Sequence, residues 1–210
     1  MMLDSTANWT FCEDFLPMSE VELRARARAR ELGLVVPSPG ACRLLAVLAA
    51  SLRASLAVEI GCSGGVSALA ILSGMPEGGV LTSVDAEMEH LRAAKEAFTE
   101  AGVAASSTRL INSRPSEVLP RLADGAYDMV LLACDKAGYP DRLGDAMRLL
   151  RPGGLLAVDG ALGLGRVPDP ARRDPITVAV REVDRQIRDQ ESQISALVPS
   201  GDGLLLTIHP

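Results

Sequence analysis

Five short apolar runs, alternating with segments of helical periodicity, set the rhythm of this 210-residue chain. Residues 56–60, 80–84, 108–112, 127–133 and 155–158 read as strands, several of them apolar almost throughout, as parallel strands buried on both faces are. Helical patterns fill the gaps: 65–72, then 87–101 with a stop at Gly102, then a start at Arg114-Pro115-Ser116-Glu117 with an early proline and a first-turn acid, then 143–150. Arg151-Pro152-Gly153-Gly154 reads as a turn. Four β–α units followed by a fifth strand predict an α/β fold with a doubly wound, mostly parallel sheet. Asp174-Pro175 opens a long helix to about Gln190, and residues 194–199 and 204–208 around Ser200-Gly201-Asp202-Gly203 form a hairpin. That hairpin brings the count to seven and makes the C-terminal strand antiparallel.

The N-terminal part has a different texture. Trp9, Phe11 and Phe15, half of the chain's aromatic residues, fall in a stretch with little periodicity, a cluster that either docks on the domain or covers a site. Ser19-Glu20-Val21-Glu22 has capping-box form and predicts a helix over 20–32 that stops at Gly33. Arg24, Arg26, Arg28 and Arg30 alternate with alanines, which spreads their charge around the cylinder. A solvated helix is the plain reading, and a surface for an anionic ligand or partner is the other. Pro37-Ser38-Pro39-Gly40 breaks the chain between an N-terminal segment, 1–36, and the main body, 37–210, which opens with a helix carrying Leu44, Leu45, Leu48 and Leu52.

With 48% hydrophobic and 23% charged residues, the chain can bury the core of one large domain. A net charge of −6 and a pI near 5.0 argue against nucleic acid and anionic membranes as partners. The apolar runs near 44–52 and 66–75 are too short to span a bilayer. Cys12, Cys42, Cys62 and Cys134 show no C-x-x-C spacing, so free thiols in a reducing compartment are expected. The first residues lack the basic and apolar regions of a signal peptide, which makes a cytoplasmic location the expectation.

Chemistry concentrates after the first strand. Glu59-Ile60-Gly61-Cys62-Ser63-Gly64-Gly65 is a strand end, a glycine turn and a helix start, where doubly wound sheets bind ligands. A dinucleotide fingerprint would need glycines where Ser63 and Val66 stand, which weakens a nicotinamide reading. Glu59 needs a cation or donors at that depth, and S-adenosylmethionine carries a sulfonium and an ammonium. Asp85, a little over twenty residues beyond Gly61, stands where such folds bind ribose hydroxyls. Cys134-Asp135-Lys136 empties onto the same sheet edge, Cys134 reading as a small buried hydrophobe rather than a pocket thiol. The proline- and glycine-rich segment 163–174 is a candidate lid there.

Glu59-Ile60-Gly61 with Gly65 and Ser67, Asp85, Tyr127-Asp128-Met129-Val130 leading to Asp135-Lys136, Leu149-Leu150-Arg151-Pro152-Gly153-Gly154, Asp159 and Val198-Pro199-Ser200-Gly201-Asp202-Gly203 follow one another in an order that resembles class I S-adenosylmethionine-dependent O-methyltransferases of the catechol and caffeoyl-CoA type, bacterial branch. The likeness runs from Pro37 to the C-terminus. It implies methionine-end contacts from Glu59, Gly61, Cys62 and Ser67, a ribose contact from Asp85, further cofactor contacts from Pro37, Arg114 and Pro115, and places for Gly65 and Ala133 in the same set. It also implies a homodimer and a small-molecule methyl acceptor, with S-adenosylhomocysteine as product.

One departure bears on mechanism. The resemblance implies a divalent metal held by an acid at position 133 and an Asp-Asn pair at 159–160, but here those positions are Ala133, Asp159 and Gly160. Only one of the three supplies a side-chain oxygen, so no bound metal is expected, with a site relocated to Asp135 as the alternative. Ionising a phenol at neutral pH costs roughly 4 kcal/mol, which a metal would otherwise help supply. Lys136 matches the family's catalytic lysine and, with Asp135, is the candidate catalytic group, as a base or as an ammonium facing an oxyanion. His90 is placed in a distant helix and His209 at the tail. The resulting expectation is metal-independent O-methyl transfer to a small hydroxylated acceptor. A non-catalytic S-adenosylmethionine-binding protein and, further off, a nicotinamide-dependent oxidoreductase are the alternatives.

Overall fold

The structure is a computed structural model that describes residues 5–190 and 194–210. Strands β1 (Leu56–Ile60), β2 (Val80–Asp85), β3 (Thr108–Asn112), β4 (Tyr127–Leu132), β5 (Leu150–Asp159), β6 (Ser195–Val198) and β7 (Leu204–Ile208) form one sheet of order β3-β2-β1-β4-β5-β7-β6. β1 to β5 pair in parallel, and β7 runs antiparallel to both β5 and β6, as the sequence predicts. The chain winds outward from β1 through β2 to β3, then returns to lay β4 on the other side of β1. That reversal opens a crevice at the carboxyl ends of β1 and β4.

Alternation along the central strands sorts the core into two layers. Val58, Ile60, Val130, Leu132, Leu156 and Val158 pack against Tyr139, Leu143 and Leu149 of α7 (Tyr139–Leu149) and Val183 and Ile187 of α8 (Pro175–Arg188). Ala57, Leu81, Met129, Leu131 and Ala157 face the other way. They meet Leu45 of α3 (Pro39–Leu52), Ile71 of α4 (Val66–Gly74) and Phe98 of α5 (Met88–Glu100). Fully burying one such side chain is worth about 1.5–3 kcal/mol, so these two layers hold the sheet.

Several elements depart from the sequence-based expectations. The stretch with Trp9 and Phe11 is a helix, α1 (Ser5–Glu13), and Trp9, Phe11 and Phe15 stay exposed. The docking falls instead to Glu13, whose buried carboxylate accepts from Gly40 N (2.6 Å), Gly201 N (2.8 Å) and Ser200 Oγ (3.0 Å). The capping box forms at the start of α2 (Glu20–Glu31), with Ser19 N donating to Glu22 Oε2 at 2.7 Å. The arginines that follow are not simply solvated. Arg24 and Arg28 pair with Glu100 of α5, and Arg26 Nη2 lies 3.2 Å from Cys42 Sγ, while Ala25 and Ala29 are buried. α7 begins four residues before the predicted start because Pro140 fits a first helical turn. The predicted turn 151–154 is taken up inside β5, where the pairing slips from Tyr127↔Leu150 to Met129↔Leu155. The long helix α8 starts where predicted, with the Asp174 carboxylate accepting from Thr177 N. All four cysteines are free, and no helix among the described residues is long and apolar enough to cross a membrane.

Asp128 ties the amino ends of the central strands together. Its carboxylate accepts from Ser55 N (2.7 Å), Leu56 N (3.0 Å) and Arg151 Nε (2.6 Å). Replacing Asp128 by Ala strands two backbone donors beside the core, and we expect a loss of about 2 kcal/mol or more in urea unfolding, with Asp128→Asn costing less.

Candidate active site

β1 and β4 leave the sheet in contact with each other. Gly61 donates its N–H to Val84 O (2.8 Å), and Ala133 N donates to Ile60 O (2.9 Å). Gly61 has φ +91°, and a Cβ there would lie 2.6 Å from Cys134 Cα and 2.7 Å from Ala133 O. A side chain at 61 is therefore excluded twice, by the left-handed backbone and by the neighbouring chain.

Asp85, at the end of β2, organises the next part of the rim. Its Oδ2 accepts from Cys62 N (3.0 Å), while its Oδ1 accepts from Glu87 N (2.9 Å) and lies 3.1 Å from His90 Nδ1. A carboxylate offers about four lone-pair directions, so one on Oδ2 stays free for a ligand donor. Between these rims lies a cavity of about 510 Å³, within the range of cofactor sites. Gly61, Ser63, Asp85, His90 and Pro115 line one end; Cys134, Asp135, Lys136, Arg142, Leu164 and Arg166 line the other.

Of the residues singled out in the sequence, Gly61, Asp85, Pro115, Ala133, Asp135 and Lys136 reach this cavity. Glu59, Cys62, Gly65 and Ser67 lie in the layer beneath it. Glu59 is fully buried, and its two oxygens accept from Ser67 Oγ (2.8 Å) and Ser83 Oγ (2.7 Å). Burial pushes its pKa up to about 8; the two serine hydroxyls oppose that shift and the nearby Asp85 charge adds to it. Cys62 is buried and acts through its N–H on Asp85, and Gly65 packs against Ala94. Pro37 and Arg114 are not on the cavity wall. Pro37 O faces Cys42 Sγ, and Arg114 O accepts from Glu117 N at the start of α6 (Pro115–Val118).

His90 is a correction: it is not distant, because only Ala86 and Glu87 separate β2 from α5 and its first turn folds back over Asp85. That short spacing was the available signal. Leu34 and Val35, from the link between α2 and α3, and Ser63 also line the cavity without having been singled out as site residues. Gly163, Leu164 and Arg166 bring the candidate lid segment to the wall.

At the ends of β4 and β5 the Tyr139 hydroxyl, fully buried, lies 3.0 Å from Asp159 O and 3.3 Å from Leu132 O, and so ties the two strand ends together. Gly160 follows with φ +69°, and a Cβ there would fall inside Lys136 Cε and Nζ and only 3.2 Å from Asp202 Oδ2. The space that an asparagine side chain would need at 160 is thus held by the Lys136 ammonium, 5.8 Å from the centre of the Tyr139 ring. Burial pushes the Asp159 carboxyl up to about 6; the Lys136 charge pulls it down and Asp202 adds to the rise. Asp202 Oδ1 accepts from Leu164 N, while its buried Oδ2 has no hydrogen-bond partner among the described residues. A divalent ion does not fit this donor set: Ala133 and Gly160 offer no side-chain oxygen, and the positive charge of Lys136 already acts on Asp159.

A doubly wound sheet with a glycine bend, an acid and a lysine at its switch-point crevice has the arrangement in which such folds bind nucleotide-type cofactors. The profile of the O-methyltransferase family matches residues 17–209, and the chain belongs to that family. It is 46% identical over 193 residues, 92% of this chain and 90% of the other, to a protein of Mycobacteroides abscessus that carries the name O-methyltransferase. A crystal structure of a Corynebacterium glutamicum protein is similar with a TM-score of 0.89 and 34% identity, covering 97% of this chain and 96% of that one. The O-methyltransferase TomG from Streptomyces achromogenes, solved in complex with S-adenosylmethionine, gives a TM-score of 0.84 at 26% identity over 100% of this chain and 99% of its own.

Because Glu59 holds its proton more tightly folded than unfolded, its contribution to stability is full below about pH 4.5 and is lost as the pH rises toward about 8. The melting temperature of the ligand-free protein should therefore fall across pH 5–8, and Glu59→Gln should flatten that slope while keeping both serine partners.

Proposed function

We propose that this protein transfers a methyl group from S-adenosylmethionine to a hydroxyl of a small acceptor, without a metal ion. The observation that carries the metal-free reading is the Lys136 ammonium in the space beside Gly160, facing Asp159 and Asp202. Bound S-adenosylmethionine supplies an electrophilic methyl on sulfur; as the acceptor oxygen bonds to that carbon, the carbon–sulfur bond breaks and S-adenosylhomocysteine leaves.

The chain's own residues do the rest. Asp85 Oδ2 accepts from a ribose hydroxyl, and Gly61, Pro115 and Ala133 shape the wall along the cofactor, with Glu59, Cys62, Gly65 and Ser67 supporting it from below and Pro37 and Arg114 setting the adjoining turns. Asp135, whose Oδ1 accepts from Ala137 N, orients the acceptor hydroxyl and passes its proton to water at its exposed side. Lys136 stabilises the charge that develops on the acceptor oxygen, a role worth about 10²–10³-fold in rate when one such donor is removed. Alignment of acceptor and methyl in the cavity supplies most of the remainder.

Free cysteines support a reducing, cytoplasmic setting. The exposed Phe11, Phe15 and Val47 support a homodimer, which sedimentation can test. The retained acceptor-side charges favour an enzyme over a binding protein that keeps only the cofactor, and the family match disfavours a nicotinamide enzyme.

The test is S-adenosylhomocysteine release with a panel of small phenols. Turnover should change less than about twofold with chelator or added Mg²⁺, whereas Lys136→Ala should lower kcat by about 10²–10³-fold with little change in cofactor affinity. A chelator-sensitive rate would overturn the metal-free reading. Asp85→Asn should weaken S-adenosylhomocysteine binding by about 10- to 100-fold in calorimetry, the loss expected for hydrogen bonds to a charged group.

A further inference from the structure

The cavity's charge is unevenly placed. Asp85 and Glu87 stand at the end near β2, while Lys136, Arg142 and Arg166 stand at the end closed by α7 and the segment after β5. One of these three cations has an ion-pair partner, Arg166, whose Nη1 is 3.6 Å from Asp174 Oδ1; Lys136 makes no ion pair within 4 Å among the described residues, but its charge acts on Asp159.

Arg142 is different. Its guanidinium lies across Gly138 so closely that any side chain at 138 would overlap it. Its Nε and Nη1 are shielded from solvent and have no hydrogen-bond partner, and it makes no ion pair among the described residues. The nearest acid in sequence on the cavity wall, Asp135, spends Oδ1 on Ala137 N. The guanidinium is close enough to the Cys134 thiol to favour its ionised form, but burial outweighs it and pushes that thiol up to about 11, so Cys134 is no counter-charge. The residue as a whole is half-buried on the cavity wall, so an anion there would meet the guanidinium through Nη2 and offset the cost of the two buried, unpaired nitrogens. It also prefers a planar, oxygen-bearing partner, a carboxylate above all.

We propose that Arg142 receives a carboxylate on the methyl acceptor, so that the substrate class is a hydroxylated carboxylic acid rather than a neutral phenol or alcohol. This rests on the O-methyl-transfer reading and adds a second station to it. Lys136 faces the reacting oxygen, Arg142 holds the far end, and the apolar Leu164 and Ile176 cover the carbon frame between. Two fixed cations on one wall would orient the acceptor, where a single one would leave it free to turn.

The test compares 3,4-dihydroxybenzoate with its methyl ester, which keeps both hydroxyls and removes the charge. With S-adenosylhomocysteine bound, calorimetry on the full chain should show the acid binding about tenfold or more tighter than the ester, and Arg142→Gln should abolish that preference while the ester's affinity changes less than about twofold. Arg142→Lys should restore part of it, which a merely structural role would not do. If Arg142→Gln unfolds, the wild type and Arg142→Lys alone decide. Equal affinity for acid and ester in the wild type, binding of neither, or a preference that survives in Arg142→Gln overturns the proposal. An acid preference that depends on Arg142, with no turnover of either compound, would sink the methyl-transfer reading and leave the carboxylate site standing.

Discussion

The close approach of the chain after β1 to the chain after β4 is the constraint on which the rest of the structure depends. Gly61 has no side chain, so Ala133 and Cys134 can lie against it, and the two central strands finish at one level. From that level Cys62 turns its N–H onto Asp85, which in turn gathers Glu87 N and His90. The cavity is what remains between these fixed edges. Beneath it lies a buried acid, Glu59, whose partners are two serine hydroxyls rather than a charge, and burial keeps such a group near neutrality.

The other end of the cavity is built on charge. Tyr139 ties the ends of β4 and β5 through their carbonyls, which places Asp159 and Gly160 beside Lys136. Asp202, on the turn between β6 and β7, closes the group from the far side. Gly160 suits this arrangement through its positive φ, and in this conformation the end of the Lys136 side chain takes the room beside it. The antiparallel C-terminal hairpin is therefore more than an edge to the sheet, because it delivers one of the acids.

Most of the architecture is readable from the chain. Apolar strands buried on both faces, capped helices and glycine stops are local signals, and the parallel order, the closing antiparallel pair, the capping box at Ser19 and the Asp174 cap follow from them. Helix α1 escaped because its sequence has no apolar stripe; the buried carboxylate at its end, Glu13, has partners at 40, 200 and 201, far away in the chain. The arginines of α2 read as solvated for the same reason, since Glu96 and Glu100 come from another helix.

The amino-acid order alone determined the sheet, the family and the absence of side-chain oxygens at 133 and 160, because each is a matter of residue type at a position. Only the tertiary structure decided which of the singled-out residues reach the cavity. It put Glu59 and Ser67 beneath the cavity, brought His90 to the wall, set Lys136 beside Gly160, and left two Arg142 nitrogens without a hydrogen-bond partner among the described residues. The reason is physical: propensity and periodicity act over a few residues, whereas burial and charge pairing depend on groups that approach only when the whole sheet has closed.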